Sequence, residues 1–296
     1  MASRETRKMG IAELREAYHN RICKDIIRIS RDSKKHVEYP NFADGSNKSS
    51  VNIAWGIVKR LGYVADHKRI NEQTVGGLFE VATKDFLAEA FKLLHHVRPG
   101  HWIYSTAQTV ISRFDQYEHL AYLEKLVAQD RALAPALGGD YIVKPDIIVA
   151  RTPISDAEVN REQKLVSAQD DVARLTPLRL VNREKSFPIL HASISCKWTI
   201  RSDRSQNTRT EALNLIRNRK GHSPHIVAVT AEPLPTRISA LALGTGDLDC
   251  VYHFALTELT KTLREVDNQD QLDMLITMIN GRRLRDISDL PFDLAT

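Results

Sequence analysis

Two segments rich in β-branched residues, set among helical patterns, restrict the possible folds most strongly. Residues 141–150 read YIVKPDIIVA and are predicted to form a strand interrupted at Pro145. Residues 189–200 read ILHASISCKWTI and alternate small or apolar with polar residues, as a central strand does. Two further strands are predicted at 225–230 and 238–243. Strands interleaved with helices, without strict βαβ repetition, predict a mixed α/β order.

Helices are predicted where apolar residues recur at spacings of three and four. The longest covers about residues 75–97 and has Glu80 beside its apolar face. Residues 44–47, with the sequence DGSN, are predicted to form a surface turn. Gly138 and Gly139 are predicted to end one helix, because glycine tolerates the left-handed conformation of a helix terminus. The remaining predicted helices are a polar one in the first forty residues and those at 51–61, 116–136, 212–219, 251–266 and 271–279.

Composition sets broad limits on the kind of protein. The 296 residues are 42% apolar, which is enough to bury a substantial core, and they contain no repeat or long linker. We therefore expect a single domain over residues 1–296 with an N-terminal helical elaboration. The net charge of +5 mildly favours a polyanionic partner. The N-terminus lacks the apolar core of a secretory signal and no run reaches the roughly 18 apolar residues of a membrane span, so we expect a cytoplasmic protein.

An acid and a lysine stand on two of the predicted strands, in the pattern PD…SxK. Asp146 follows Pro145, and Lys197 follows Ser195 by two residues. On neighbouring strands, such an acid can hold a divalent cation while the lysine orients or deprotonates a water, which is what phosphodiester hydrolysis needs. The pattern is weak alone, because Ser195 stands where a second acid is usual and cannot supply its negative charge. A displaced carboxylate must make up the deficit.

Glu211 is the candidate for that displaced carboxylate. It is predicted to lie in the first turn of the helix after the second strand, where it could point back toward the strand end. A second interpretation stays open, because residues 208–211 read TRTE and match the capping box T-x-x-E. In that case Glu211 stabilises a helix end and has no role in chemistry.

The segment RSDR, residues 201–204, follows the second strand directly. Arg201 and Arg204 can each donate a bidentate pair to guanine O6 and N7, and Asp203 can accept from cytosine N4 in the major groove. The segment therefore indicates a reader of G·C pairs. The alternative interpretation is a solvated charged loop.

Several longer segments resemble the NgoMIV-like type II restriction endonucleases, the CCGG subfamily of the PD-(D/E)XK nucleases. They are HASISCKWTIRSDR, EALNLIRNRKG, TAEPLPTRIS, ALGTGDLDCVYHFAL and INGRRLRDISDLPFDL. The resemblance extends from Asp44 to the C-terminus; the first forty residues resemble the family poorly, and residues 151–186 differ in detail. It implies the restriction-endonuclease-like fold, a central mixed β-sheet flanked by α-helices. It also implies Mg²⁺-dependent double-strand cleavage of DNA, with two Mg²⁺ ions per active site.

The same resemblance implies a role for each candidate catalytic residue. Asp146 and Glu211 would be metal ligands, helped by the main-chain carbonyl of Cys196. Lys197 would orient or activate the water, and Ser195 would occupy the vacated acid position. Glu80 would be an accessory acid, since residues 73–80, QTVGGLFE, resemble the family's Q-T-x-G-x-x-F-E stretch.

Base recognition and assembly are implied in the same way. Arg201, Asp203 and Arg204 would read the inner CCGG, and the outer G·C pair would fall to Asp44, Ser46 and Arg237, with Gln73 near the minor groove. The expected reaction is cleavage of GCCGGC after its first G, leaving four-base 5′ overhangs and 5′ phosphates; a relaxed flank such as RCCGGY stays open. The expected partners are double-stranded DNA and further copies of the chain, as a homodimer that assembles into a homotetramer, with no nucleotide cofactor.

Other functions fit the sequence less well. A sequence-specific DNA-binding protein that does not cut would keep the RSDR segment, but intact Asp146, Lys197 and Glu211 argue against it. A nuclease for repair or RNA would need no paired guanine readers. Widely spaced cysteines offer no disulfide framework or CxxC metal pair. His95 and His96 are adjacent on a predicted helix and therefore point in different directions, so no zinc site is predicted.

Overall fold

The computed structural model describes most of the chain. Its described residues are 9–31, 37–63, 66–68, 70–130, 143–180, 186–244 and 246–296, without the side chains of 202–204. Residues 141–142 of the first predicted strand and residues 131–139, which include the predicted glycine helix stop, lie outside the described residues.

The described residues contain a two-stranded and a six-stranded sheet. The strands are β1 (Ile29–Arg31), β2 (Glu38–Pro40), β3 (Trp102–Ser105), β4 (Ile147–Arg151), β5 (Ile189–Lys197), β6 (His225–Thr230), β7 (Cys250–His253) and β8 (Leu284–Asp286). Strands β1 and β2 pair antiparallel, and the larger sheet has the order β3-β4-β5-β6-β7-β8. Strands β3, β4 and β5 pair antiparallel, whereas β6, β7 and β8 pair parallel. The predicted mixed α/β fold is confirmed.

The helices within the described residues are interspersed with these strands, without strict alternation. They are α1 (Ile11–Asp25), α2 (Lys48–Arg60), α3 (Glu72–Leu93), α4 (Leu120–Gln129), α5 (Asp156–Val159), α6 (Ser202–Asn218), α7 (Pro235–Ala242), α8 (Leu256–Glu265), α9 (Gln269–Asn280) and α10 (Leu290–Asp293). Asparagine side chains cap three of them by accepting backbone N–H groups: Asn47 at α2, Asn71 at α3 and Asn268 at α9.

Several predicted elements differ from the structure. The strand predicted from residue 141 begins at Ile147, and the helix predicted from residue 116 begins at Leu120. The strand predicted at 238–243 is wrong, because these residues belong mostly to helix α7, which begins at Pro235. The helix predicted from residue 251 begins at Leu256, and residues 250–253 form strand β7. The helix predicted at 212–219 begins ten residues earlier, at Ser202.

The chain divides into two compact units. The first contains Met1–Arg98, Cys196–Gln206 and Val227–Thr296. Within it α1 packs against α3, α2 against α8, and α7 against α9. Arg15 ties α1 to two other elements through ion pairs of 2.7 Å to Glu258 and 2.8 Å to Asp286.

The second unit contains Pro99–Ser195 and Asn207–Ile226. Gln116 completes the start of strand β5, because its side-chain amide donates to the Leu190 carbonyl at 2.7 Å and accepts the Leu190 N–H at 2.9 Å. The neighbouring Tyr117 is fully buried and donates its hydroxyl to the Leu215 carbonyl of α6 at 3.0 Å. The β5 strand and helix α6 are therefore each fixed to the segment that precedes α4.

No helix within the described ranges combines the length and apolar character needed to cross a membrane.

Candidate active site

Asp146 lies at the bend that leads into strand β4, directly opposite Ser195 of strand β5. The antiparallel register pairs Ile147 with Ile194, which places the preceding and following residues side by side. The Ser195 hydroxyl donates to Asp146 Oδ2 at 3.4 Å. The proline-disturbed strand and the SxK strand are therefore neighbours, as the PD…SxK pattern requires.

Lys197 ends strand β5, two residues after Ser195, so both side chains point to the same face of the strand. Its backbone is held by the segment that leaves strand β6. The Lys197 carbonyl accepts the Thr230 hydroxyl at 2.7 Å and the Ala231 N–H at 3.3 Å. The half-buried lysine thus projects from a backbone position that is fixed by neighbouring chain.

Glu211 lies in the middle of helix α6, and not in its first turn as predicted. Because α6 begins at Ser202, Thr208 is an interior helix residue, and the capping-box interpretation of residues 208–211 is wrong. Thr208 is 2% exposed, and its hydroxyl lies 3.4 Å from the Ser195 hydroxyl. Residues three apart share a helix face, so Glu211 follows Thr208 on the side of α6 that meets strand β5.

The residues assigned to the metal site suit Mg²⁺ by chemistry. No group of three or more His, Cys, Asp or Glu side chains among the described residues is arranged to hold a metal ion. The assigned set has a different make-up: the carboxylates of Asp146 and Glu211 and the main-chain carbonyl of Cys196. Mg²⁺ is commonly held by one or two carboxylates and keeps several waters, so a set of this size fits it.

The RSDR segment forms the transition from the strand to helix α6. The Arg201 carbonyl accepts the Ser205 N–H at 3.0 Å, which makes Arg201 the residue that precedes the first helical turn. Arg201 is exposed. The side chains of Asp203 and Arg204 lie outside the described residues, although their backbone belongs to α6. The interpretation of the segment as a charged loop is therefore wrong for its last three residues.

Asp44 and Arg237, which are 193 residues apart in sequence, form an ion pair. Asp44 lies in the predicted DGSN turn, where its Oδ1 accepts the Ser46 N–H at 3.0 Å and the Ser46 hydroxyl at 2.6 Å. These bonds from Ser46, followed by the Arg237 guanidinium, lower the pKa of Asp44 to about 2. The structure thus brings together all three residues that were predicted to read the outer base pair.

Gln73 and Glu80 lie on helix α3, with Gln73 exposed in its first turn and Glu80 half-buried. The residue before Glu80, Phe79, is fully buried against Trp198, with ring centroids 5.1 Å apart. Trp198 also packs edge-on against Phe42, at 5.7 Å. Together with Phe254, whose ring lies 6.0 Å from that of Trp198, these residues form what we call the aromatic cluster: Phe42, Phe79, Trp198 and Phe254.

Glu232 was not predicted and is the most perturbed carboxyl group near these segments. It is 1% exposed, and burial raises its pKa to about 7. A sequence signal existed, because Glu232 is an acid in the otherwise apolar stretch AVTAEPLP, where only a partnered carboxylate is tolerated. Buried His253, whose pKa burial lowers to about 4, donates from Nε2 to the Glu232 carbonyl at 3.2 Å.

Solved structures with some similarity are restriction endonucleases. One is described as "Restriction endonuclease PspGI-substrate DNA complex", with 16% identity, coverage of 97% of this chain and 92% of that chain, and a TM-score of 0.29. Another is Bse634I with cognate DNA, with 12% identity, coverage of 85% and 99%, and a TM-score of 0.32. Similarity at these scores is too low to carry a conclusion about this chain.

Sequence comparison is more informative. Residues 18–296 match the family model described as NgoMIV restriction enzyme. The type II restriction enzyme NgoMIV of Neisseria gonorrhoeae is 52% identical over 257 residues, which cover 86% of this chain and 88% of that protein. The chain therefore belongs to the NgoMIV family of type II restriction endonucleases.

Proposed function

We propose that this restriction endonuclease cuts double-stranded DNA at GCCGGC, after the first G, with Mg²⁺ as cofactor. The observation that carries the proposal is the pairing of Asp146 with Ser195 across strands β4 and β5, with Lys197 two residues further along. Membership of the family supports sequence-specific DNA cleavage in general. The recognised base sequence, the overhang and the metal cofactor are the details that this proposal adds to the family assignment.

Each side chain has a distinct task in the proposed hydrolysis. Asp146 and Glu211 would hold Mg²⁺ together with the Cys196 carbonyl, and the ion would supply stabilisation of negative charge on the scissile phosphate. Lys197 orients or deprotonates the attacking water. The water displaces the 3′ oxygen in line and leaves a 5′ phosphate. Ser195 contributes a neutral hydroxyl between Asp146 and Thr208, and Glu80 is an accessory acid.

The number of readers matches a CCGG core. Each subunit on a palindrome reads one half, so Arg201, Asp203 and Arg204 must serve two C·G pairs. Two arginines suit two guanines, and one carboxylate accepts from the cytosine N4 groups. For the outer pair, the contact between Asp44 and Arg237 supports a joint role, because it places an acceptor and a bidentate donor at one point. Gln73 is assigned to the minor groove.

Digestion of a library of NCCGGN duplexes should show cleavage confined to GCCGGC. A wrong inner base should cost about 1–3 kcal/mol in binding and more in rate, because an unpaired guanidinium or carboxylate is then desolvated without a partner. Sequencing the fragment ends gives both the preferred flank and the position of the cut. Cleavage of all flanks would refute the outer-pair assignment, and efficient cutting of sites that lack CCGG would refute the recognition model.

We also propose that residues 1–296 act as one nuclease domain that assembles as a homodimer and then a homotetramer. The boundary between the compact units falls inside strand β5 and inside helix α6, which supports a single domain. Several large apolar side chains are exposed on residues 165–180, among them Leu175 at 90%, and exposed apolar surface is a feature of protein contact surfaces. Arg179 holds this segment in shape through two 2.7 Å bonds to Asp156 and one of 3.0 Å to the Ala173 carbonyl.

A tetramer should cut a plasmid with two sites faster than a plasmid with one site at equal site concentration. The reason is that two dimers in one assembly engage two palindromes, and a second site on the same molecule has a high effective concentration. Adding a cognate oligoduplex should raise the rate on the one-site plasmid. Equal rates on both plasmids, together with a dimeric mass by sedimentation, would overturn the tetramer.

A further inference from the structure

The buried carboxylate of Glu232 divides its two oxygens between two backbone segments. Glu232 lies between strand β6 and helix α7. Its Oε2 accepts the Ile200 N–H at 2.9 Å, and its Oε1 accepts the Leu234 N–H at 3.2 Å. Neither amide belongs to a regular strand or helix at that point. A single side chain therefore supplies hydrogen-bond acceptors for two separate irregular segments.

Both segments lead directly to predicted base readers. Ile200 precedes Arg201, whose carbonyl begins helix α6. Leu234 is the N-cap residue of helix α7, which carries Arg237 one turn later. Arg237 in turn pairs with Asp44. The carboxylate thus binds the backbone next to the proposed inner reader Arg201 and the backbone at the start of the helix that carries the proposed outer reader Arg237.

Glu232 is itself held firmly. Its N–H donates to the Thr230 hydroxyl at 3.1 Å, and that hydroxyl donates onward to the Lys197 carbonyl. Its carbonyl accepts from His253 Nε2, while His253 Nδ1 accepts the Ala255 N–H at 3.1 Å. The bond at Nδ1 requires the tautomer with hydrogen on Nε2, so the donor to Glu232 is fixed. The carboxylate position is therefore set by the core and not by solvent.

The position of an acid here is costly. Burial disfavours the ionised form, which is why the Glu232 pKa is raised. An apolar residue would avoid that cost but would leave the buried N–H groups of Ile200 and Leu234 without acceptors, and such groups are strongly destabilising. Three contacts between residues 197–200 and 230–232, including the bond from Ile200, keep the end of strand β5 next to the start of helix α7.

We propose that Glu232 is a positioning residue for specificity, which aligns the backbone of both the inner reader Arg201 and the outer reader Arg237. It contacts no base and takes no part in the chemistry. The inference rests on the proposed function, because it assumes that these two arginines read DNA. It goes beyond that function because it predicts that a substitution of the buried residue Glu232 weakens discrimination between bases at two separate positions of the DNA site.

The test compares binding preference in Glu232→Ala, Glu232→Gln and a matched control. Each protein selects from a random-sequence duplex pool without divalent cations, so that no cleavage occurs. The control is Asp286→Asn, because Asp286 is another buried carboxylate whose oxygens accept two backbone N–H groups, those of Leu256 and Ser288. Thermal unfolding of each free protein is measured in parallel.

Glu232→Ala should reduce discrimination about tenfold at both the inner and the outer pair, since each bidentate contact contributes a factor of roughly 5 to 150. Glu232→Gln, which keeps one acceptor oxygen, should recover part of the loss. Asp286→Asn should lower the melting temperature but keep the preference of the wild type. If Glu232→Ala does not fold, Glu232→Gln alone must show the loss for the inference to stand.

The test distinguishes failure of the proposed recognition sequence from failure of the proposed role of Glu232. If the wild type selects a sequence other than GCCGGC, the proposed site is wrong, and the variants are then compared on the sequence that was selected. If the Glu232 variants fold and keep wild-type preference within twofold at every position, Glu232 has only a structural role. A structural role is also the conclusion if Asp286→Asn loses preference as much as the Glu232 variants do.

Discussion

Replacing Asp146 by Ala should lower the rate of DNA cleavage by on the order of a thousandfold or more. Asp146 is the only carboxylate that the PD…SxK pattern places on the strand pair, because Ser195 stands at the second acid position. Its loss removes half of the proposed carboxylate ligands. Binding of a cognate duplex without metal should change little, since Asp146 is assigned no base contact. Single-turnover cleavage and gel-shift titration measure the two effects.

Ser195→Ala is the matched control for Asp146→Ala. It removes the 3.4 Å bond to Asp146 Oδ2 but no charge. A hydrogen bond as long as 3.4 Å contributes little, so we expect a rate loss that is smaller by orders of magnitude. Equal losses in the two variants would show that the hydrogen-bonded arrangement matters and the Asp146 charge does not. Full activity of Asp146→Ala would remove the proposed metal site.

Glu211→Ala should also lower cleavage by on the order of a hundredfold to a thousandfold, with little change in stability. The position of Glu211 in the structure explains why little change in stability is expected. At a helix N-terminus the substitution would cost about 1 kcal/mol through a lost cap, but Glu211 lies well inside helix α6. In a helix interior Ala is the best helix former, so the change should not weaken the helix itself. Cleavage rate and melting temperature together check the prediction.

Thr210→Ala provides the control for Glu211→Ala. Thr210 is the preceding residue of the same helix and is exposed. Its replacement should leave both cleavage and melting temperature nearly unchanged. An active Glu211→Ala enzyme would remove Glu211 from the metal site and would require another source for the second charge.

Elements with a strong local signal were predicted well. Strand β5 was predicted at 189–200 and ends at Lys197, and β6 was predicted at its observed bounds, 225–230. Long apolar periodicity also located α3. Strands β3 and β8 were missed, because they contain four and three residues and acquire their strand conformation from their neighbours. Strand β3 nevertheless reads WIYS, a run of β-favouring residues that the sequence prediction overlooked.

The two largest errors have identifiable causes. Residues 238–243 are an apolar run, and periodicity alone does not distinguish a short buried helix from a strand. Pro235 was the useful signal, because proline is favoured in the first turn of a helix. The start of α6 was missed because residues 202–208, SDRSQNT, are polar and mostly poor helix formers. The candidate site residues were predicted from motif and resemblance, whereas the hydrogen-bond partners of Glu232 and Thr208 depend on tertiary contacts.

The aromatic cluster has a consequence for attempts to change the sequence preference of this enzyme. Phe42 lies two residues before Asp44, Trp198 lies three before Arg201, and Phe79 adjoins Glu80. All four rings of the cluster are buried and closely packed, so a displacement of one ring forces the others to move as well. A loop that carries a proposed base reader, if grafted from a homologue, would therefore place the homologue's adjacent aromatic ring in a core to which that ring is not matched. The loops should therefore be exchanged together with the residues of the aromatic cluster, in a single replacement.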